Sequence, residues 1–155
     1  MSLVPSWAPN LHPAVIHFPI VLLVMAALID LVDAVCTRPP WLGSAATTLY
    51  VAGAAAAVIA YLTVVQAGAV VFVPGMAHPV LEDHRQWALV TAGYSSGVAV
   101  IRWVARHTGF PRTRSHRLWM VTAGAIGVLL LQQTAERGAR LVYEYGVGVG
   151  AAWPR

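Results

Sequence analysis

Four of the six histidines form two similar pairs, and their spacing is the clearest chemical signal in the sequence. The first pair is His12 and His17, the second is His78 and His84, and each begins with a His-Pro dipeptide. Proline is favoured in the first turn of a helix, so each dipeptide predicts a helix start. The second histidine of each pair then lies roughly 6 to 7.5 Å further along its helix. We therefore expect His17 and His84 at nearly the same depth in two helices.

Two imidazoles that face each other at equal depth can clamp a planar cofactor such as haem, bind a metal ion, or line a site for a quinone headgroup. We predict that His17 and His84 are the axial ligands of a haem b iron, and that Arg85 pairs with a haem propionate. No catalytic residue is predicted. The weaker candidates for the same cofactor site are His12, His78, Arg137, Arg140 and Tyr145. The simpler alternative for each histidine is a hydrogen bond to a carbonyl group or a lipid headgroup.

The composition indicates that a membrane protein carries these histidines. The 155 residues are 58% hydrophobic and only 10% charged, whereas soluble domains average roughly 25% charged residues. Four continuous apolar segments, at about 14–35, 44–73, 84–106 and 118–135, approach or exceed the roughly 20 helical residues that a bilayer core requires. Lipid-exposed backbone must be helical or part of a closed barrel, and continuous apolar runs favour helices. We predict an all-α membrane protein, a four-transmembrane-helix bundle in a single domain 1–155 with a tail at 136–155.

The arginines predict the orientation of this bundle. The end that holds the loops after the first and third segments carries six arginines against two aspartates, whereas the charges at the opposite end are balanced. The positive-inside rule makes the arginine-rich end cytoplasmic, so that both termini and the four paired histidines are extracytoplasmic. We therefore expect a multi-pass protein of the bacterial cytoplasmic membrane, surrounded by lipid. Because topology and anionic lipid explain the arginines, nucleic acid is not an expected partner.

The remaining reactive residues indicate little further chemistry. Cys36 is the only cysteine, which excludes an intrachain disulfide, a Cys₄ metal site and c-type haem attachment. Asp30 and Asp33 are three residues apart and share a helix face. We expect them to pair with Arg38 or with an arginine of the cytoplasmic loop, or else to form a proton route. The first and third helices run in the same direction, so they should be diagonal neighbours in an up-down bundle.

Three motifs resemble a known family. Residues 11–20, LHPAVIHFPI, look like the opening signature of the bacterial integral membrane family called domain of unknown function 2231. The dipeptide His84-Arg85 and residues 141–149, LVYEYGVGV, are also similar to that family's pattern. The resemblance covers nearly the whole chain and implies a four-helix membrane protein, often encoded near redox or cytochrome components. Two positions depart from the pattern, which commonly has histidine at the position of Tyr145 and glycine at that of Ala139.

These observations lead to one functional prediction and one alternative. We predict a b-type haem-binding subunit of a hetero-oligomeric redox complex, which passes electrons between an extracytoplasmic redox protein and the quinone pool. The redox protein would dock on the histidine-rich face, over the glycine-rich segment 138–150. The alternative is a cofactor-free anchor subunit of a larger membrane complex. Either function is that of an electron-transfer or anchor subunit and not of a stand-alone enzyme.

Overall fold

The computed structural model describes residues 10–36, 41–109 and 113–149. Most of these residues are helical, and there is no strand among them. The helices are α1 (His12–Val15), α2 (His17–Val35), α3 (Leu42–Val70), α4 (His78–His107) and α5 (Arg114–Tyr143), with a 3₁₀ turn at Gly75–Ala77. The predicted all-α class is confirmed.

Four helical stretches are long and apolar enough to cross a membrane: His12–Val35, Leu42–Val70, Gly75–His107 and Arg114–Tyr143. In a helix every backbone group away from the ends is bonded within the segment, which is what a lipid environment requires. Most of their large apolar side chains are exposed on the outside of the bundle, where lipid replaces water as their surroundings. The predicted four-transmembrane-helix bundle is therefore confirmed.

Three helical stretches extend beyond the predicted spans, whereas α3 ends at Val70, three residues before the predicted end of its span at residue 73. The fourth span was expected to end near residue 135, but α5 continues to Tyr143 through the polar run that starts at Gln132. Arg137 supports this extension, because its guanidinium donates to the backbone and side-chain oxygens of Gln133 at 2.8 and 2.9 Å. Such pairs four residues apart stabilise an exposed helix. The part of the predicted tail 136–155 up to Tyr143 is therefore helical, and the helix ends there.

Each long helix packs against two neighbours, because α2 contacts α3 and α5, and α4 contacts the same two helices. The helices α2 and α4 are therefore diagonal, as the sequence predicts. The core between them contains Leu23, Ala26, Tyr50, Ala54, Val98, Ala99 and Leu131. Small residues allow this close approach. A Cβ atom added at Gly124 would lie 2.9 Å from the Tyr50 hydroxyl and 3.0 Å from the Ala27 Cβ.

A buried ion pair crosses the bundle along this diagonal. The Arg102 guanidinium on α4 donates to both carboxylate oxygens of Asp30 on α2, at 2.8 and 2.9 Å. Their side chains are only 5% and 4% exposed, and the guanidinium carbon lies 4.6 Å from the centre of the Tyr50 ring. The expectation that Asp30 pairs with an arginine is confirmed for Arg102, which belongs to α4 and not to a loop.

Removing one partner of this pair should be costly, because the other would remain as a buried, unpaired charge. We expect Asp30→Ala to lower the free energy of unfolding by about 3–5 kcal/mol. The control is Glu82→Ala, which removes the exposed partner of Arg85 at 4.0 Å and should cost less than about 1 kcal/mol. Unfolding of both variants in detergent, followed by circular dichroism, measures the difference. Equal losses of stability would contradict the structural role assigned to the pair.

Candidate functional site

Two histidines meet at the end of the bundle opposite to the ion pair, which we call the histidine end. His12 opens α1 and His84 lies in α4, and their ring centroids are 6.0 Å apart with an interplanar angle of 76°. His84 is buried and His12 is half-buried. Because α1 leads into α2, this contact spans the same diagonal as the ion pair.

Hydrogen bonds fix both imidazoles in the same way. The Nδ1 atom of His84 lies 2.9 Å from the Thr134 carbonyl oxygen, which can only accept, so Nδ1 carries the proton. The Nδ1 atom of His12 lies 3.0 Å from the Thr63 hydroxyl. That hydroxyl donates its single proton to the Ala60 carbonyl at 2.8 Å. It therefore accepts from His12, and both rings retain a lone pair on Nε2.

The structure differs from the prediction for His17. We expected His17 to face His84, but His17 is exposed on the outer surface and His12 takes that place. Positions five residues apart on a helix differ in direction by about 140°, so two such side chains cannot both point inward. His78 and His84 are six residues apart and so differ in direction by about 120°, and of these two His84 is buried and His78 is exposed. One histidine of each pair therefore faces the bundle interior.

A sequence signal for the correct partner does exist. His12 precedes Asp30 by 18 residues, and His84 precedes Arg102 by the same number. Eighteen residues are five helical turns, so His84 shares a face of α4 with Arg102, about 27 Å away. His12 shares a face with Asp30 in the same way along the helical stretch His12–Val35, which contains α1 and α2. Because Asp30 and Arg102 pair across the diagonal, the helix faces that carry them point towards each other. The histidines lie on those same faces, so His12 lies next to His84. His17 does not lie on the helix face that His12 and Asp30 share.

The two histidines line a cavity of about 530 Å³, which we call the histidine cavity. This volume is within the range of about 300–1,000 Å³ that is typical of ligand sites. Its walls are mostly apolar and come from all the helices and the tail. The small wall residues are Ala57, Ala60, Ala67, Gly68, Ala88, Ala135, Gly138 and Ala139. Such residues leave flat surfaces between the helices.

Gly138 gives the His84 ring its space. A Cβ atom at this position would lie 3.1 Å from Cε1 of His84 and 3.5 Å from Nδ1. The ring is also held by the Thr134 carbonyl one turn earlier in α5. Any side chain at position 138 would therefore press on an imidazole that has little freedom to move.

The C-terminal tail folds back over this end of the bundle. Gly146 and Gly148 have positive φ angles of 67° and 77°, which reverse the chain after α5 at low steric cost. Val147 then packs against the cluster of Ala77, Leu81 and Leu141. Tail residues 147–149 also line the histidine cavity. The segment thus forms part of the cavity wall.

Arg85 lies behind the cavity wall. Its guanidinium sits against Gly68, where any Cβ atom would overlap it, and Gly68 itself lines the cavity. The guanidinium donates to the Val65 carbonyl at 3.4 Å and lies 4.0 Å from the Glu82 carboxylate. Arg85 does not line the cavity, but its guanidinium contacts Gly68, which does line it.

The other predicted site residues lie at the rim and outside the cavity lining. Arg137 lies 4.8 Å from the centre of the Trp87 ring, and Arg140 donates to Glu144 at 2.9 Å. The hydrogen bond from Arg140 lowers the pKa of Glu144, and the hydrogen bond with Glu144 raises the pKa of Tyr145. Tyr145 packs beside the Ala77 cluster. The structure therefore brings His12 and His84 together but leaves these three residues peripheral.

Sequence reasoning did not find Thr63, Thr134 and Gly138. A helical threonine or glycine in an apolar segment is common, and no local pattern marks it as a support for a ring on another helix. Within residues 10–36, 41–109 and 113–149, no cluster of three or more histidine, cysteine or acidic side chains has the geometry of a metal site.

Comparison with known proteins gives one match. The family model described as "Predicted membrane protein (DUF2231)" matches residues 8–151. No curated protein and no solved structure matches the chain.

The proximity of the two rings can be tested by crosslinking, independently of any cofactor. In a Cys36→Ser background, the thiols of a His12→Cys/His84→Cys variant should be bridged by a short bifunctional thiol reagent, since the native rings are 6.0 Å apart. The matched control, His17→Cys/His84→Cys, should remain unbridged because His17 is exposed. Mass spectrometry of tryptic peptides detects the bridge. A bridge in the control alone would show that the sequence-based pairing is the correct one.

Proposed function

Because the chain belongs to the DUF2231 family of predicted membrane proteins, and its two inward histidines meet in an apolar cavity, we propose that it is a b-type haem-binding subunit of a membrane redox complex. In this proposal it passes electrons between an extracytoplasmic redox protein and the quinone pool of the bacterial cytoplasmic membrane. The observation that carries the proposal is the geometry of His12 and His84.

The separation of the two rings supports a shared iron. Metal–imidazole bonds are about 2 Å long and a ring centroid lies about 1 Å behind its nitrogen, so two imidazoles on one metal have centroids about 6 Å apart. The observed separation is 6.0 Å. Two histidines are a complete set of protein ligands for haem, because the porphyrin provides the other four nitrogens.

The tautomers of His12 and His84 support the same assignment. Metal-ligating histidines usually donate the other ring N–H to a carbonyl or another acceptor, which orients the ring and raises the basicity of the ligating nitrogen. Both rings donate from Nδ1, to Thr134 and Thr63 respectively, and keep the Nε2 lone pair. These donations prepare Nε2 of both rings for coordination.

The histidine cavity suits a flat, largely apolar ligand. Alanine and glycine walls accommodate a planar ring, and apolar surroundings keep water away from it. Bound haem would supply a reversible one-electron couple, with a potential set by its axial ligands and its burial. Arg85, behind Gly68, would pair with a propionate after a change of rotamer, and Arg137 and Arg140 are further cations at the histidine end.

The first prediction from the proposed function concerns the haem ligands. We expect His12→Ala and His84→Ala to lose most of the bound haem, because a single axial histidine retains only part of the coordination. His17→Ala and His78→Ala are matched controls, since each removes the exposed member of a pair. The measurement is the Soret absorbance per protein after expression with excess haem. Loss of haem in His17→Ala with full retention in His12→Ala would contradict the assignment.

The second prediction concerns the space around His84. Gly138→Ala places a methyl group 3.1 Å from the His84 ring, and the displaced imidazole should bind haem about tenfold more weakly or shift its redox potential. The control is Gly127→Ala on the same helix, where the new methyl would lie 3.6 Å from the Tyr94 ring, an ordinary contact. Haem titration of both variants distinguishes them. Identical haem affinities of the two variants would show that Gly138 does not belong to the haem site.

The third prediction concerns the partner. Three large side chains are exposed at the histidine end: Phe72, Met76 and Tyr143. Such a patch beside the charged residues Glu82, Arg140 and Glu144 has the mixed character of a docking surface. We expect a redox subunit to crosslink to photoreactive groups at positions 76 and 143, and not to one at position 107. Crosslinks only at position 107, or a colourless complex, would favour the alternative of a cofactor-free anchor subunit.

A further inference from the structure

A second cavity lies at the other end of the bundle, which we call the arginine end. It has a volume of about 430 Å³ and lies where α2 and α4 finish and α3 and α5 begin. Among the residues that the structure describes, the ionisable ones in its lining are Asp30, Asp33, Arg102, Arg106, His116 and Arg117. Three guanidinium groups face two carboxylates, so the lining has an excess positive charge when His116 is neutral.

Two helix N-termini add to this positive character. Gly43 and Ser44 in the first turn of α3 and His116 and Arg117 in the first turn of α5 line the cavity. The first N–H groups of a helix have no acceptor within the helix and carry a partial positive charge. Neither helix has an acidic residue in its first turn, and α3 has no side-chain cap. Cations at a helix start oppose the helix dipole, so an anion in the cavity would relieve an unfavourable arrangement.

Unsatisfied donors at the arginines indicate the chemistry of that anion. Arg102 lines the cavity with a side chain only 5% exposed, and its Nε has no hydrogen-bond partner within the described part of the chain. The buried Nε of Arg117 also has no hydrogen-bond partner among the described residues. Arg106 reaches across the opening to the Ser44 hydroxyl. Phosphate oxygens match guanidinium donors and helix N-termini in both charge and geometry.

The position of the cavity favours a lipid as the source of the phosphate. Trp41, Trp103 and Trp119 are exposed around the arginine end, and exposed tryptophans mark the headgroup level of a membrane. Basic pockets between transmembrane helices at this level bind anionic headgroups. We propose that the cavity at the arginine end binds the phosphate group of an anionic phospholipid, through Arg117, Arg106 and the first turns of α3 and α5.

Native mass spectrometry of the full-length protein, released from detergent, tests this site. Phosphatidylglycerol, phosphatidylcholine and inorganic phosphate are titrated separately. The wild type should retain phosphatidylglycerol in preference to phosphatidylcholine, and Arg117→Gln should bind it about tenfold more weakly, because charge-assisted hydrogen bonds are lost. The matched control is Arg114→Gln, an exposed arginine in the same helical turn that does not line the cavity.

A second variant, Arg106→Gln, covers the case in which Arg117→Gln does not fold, since Arg106 is exposed. Its affinity for phosphatidylglycerol should also fall, whereas that of Arg114→Gln should stay within about twofold of wild type. An equal loss of affinity for phosphatidylglycerol in Arg114→Gln and in the cavity variants would show that general surface charge explains the binding. That result would overturn the proposed site. Retention of inorganic phosphate without a preference for phosphatidylglycerol would overturn the assignment to a lipid.

Discussion

The Asp30–Arg102 ion pair is almost fully buried between the helices, with side chains only 4% and 5% exposed, and it constrains the geometry of the bundle. Withdrawing two ions from water costs several kcal/mol per ion, which only close, well-aligned contacts can offset. The bidentate contact and the adjacent Tyr50 ring meet that condition. The pair therefore fixes which faces of α2 and α4 turn inward. Because each histidine lies five turns away on the same face, the ion pair also determines that His12 meets His84.

This coupling gives the two ends of the bundle different characters. The ion pair and its neighbouring arginines make the cavity at the arginine end polar. About 27 Å away, close to the thickness of a bilayer core, the histidines stand in a cavity with apolar walls. Most of the buried polar groups of the described residues therefore lie towards the arginine end or towards the histidine end. Small residues in the core between them, such as Gly53 and Ala54, allow the helices to pack closely.

The sequence predicts the fold because lipid removes alternatives: continuous apolar segments in a bilayer must be helices, and four of them with short loops form an up-down bundle. It predicts the site only in part. His84 is buried, but the depth of a residue along its helix does not give its direction around the helix axis, so depth alone favours His17 although His12 is the residue that contacts His84. The common spacing of 18 residues from His12 to Asp30 and from His84 to Arg102 contains the missing information. The support from Thr63, Thr134 and Gly138 depends on contacts between helices, which no local pattern shows.

Electron paramagnetic resonance of the oxidised, purified protein tests the central claim most directly, because it reports the ligands of the iron as well as its presence. Two imidazoles on one iron make a six-coordinate, low-spin ferric haem. We predict a low-spin ferric signal, present in stoichiometric amount after purification in mild detergent. A purely high-spin ferric signal would show that His12 and His84 do not both ligate the iron. The absence of any haem signal from protein that retains its fold and was produced with sufficient haem would contradict the account.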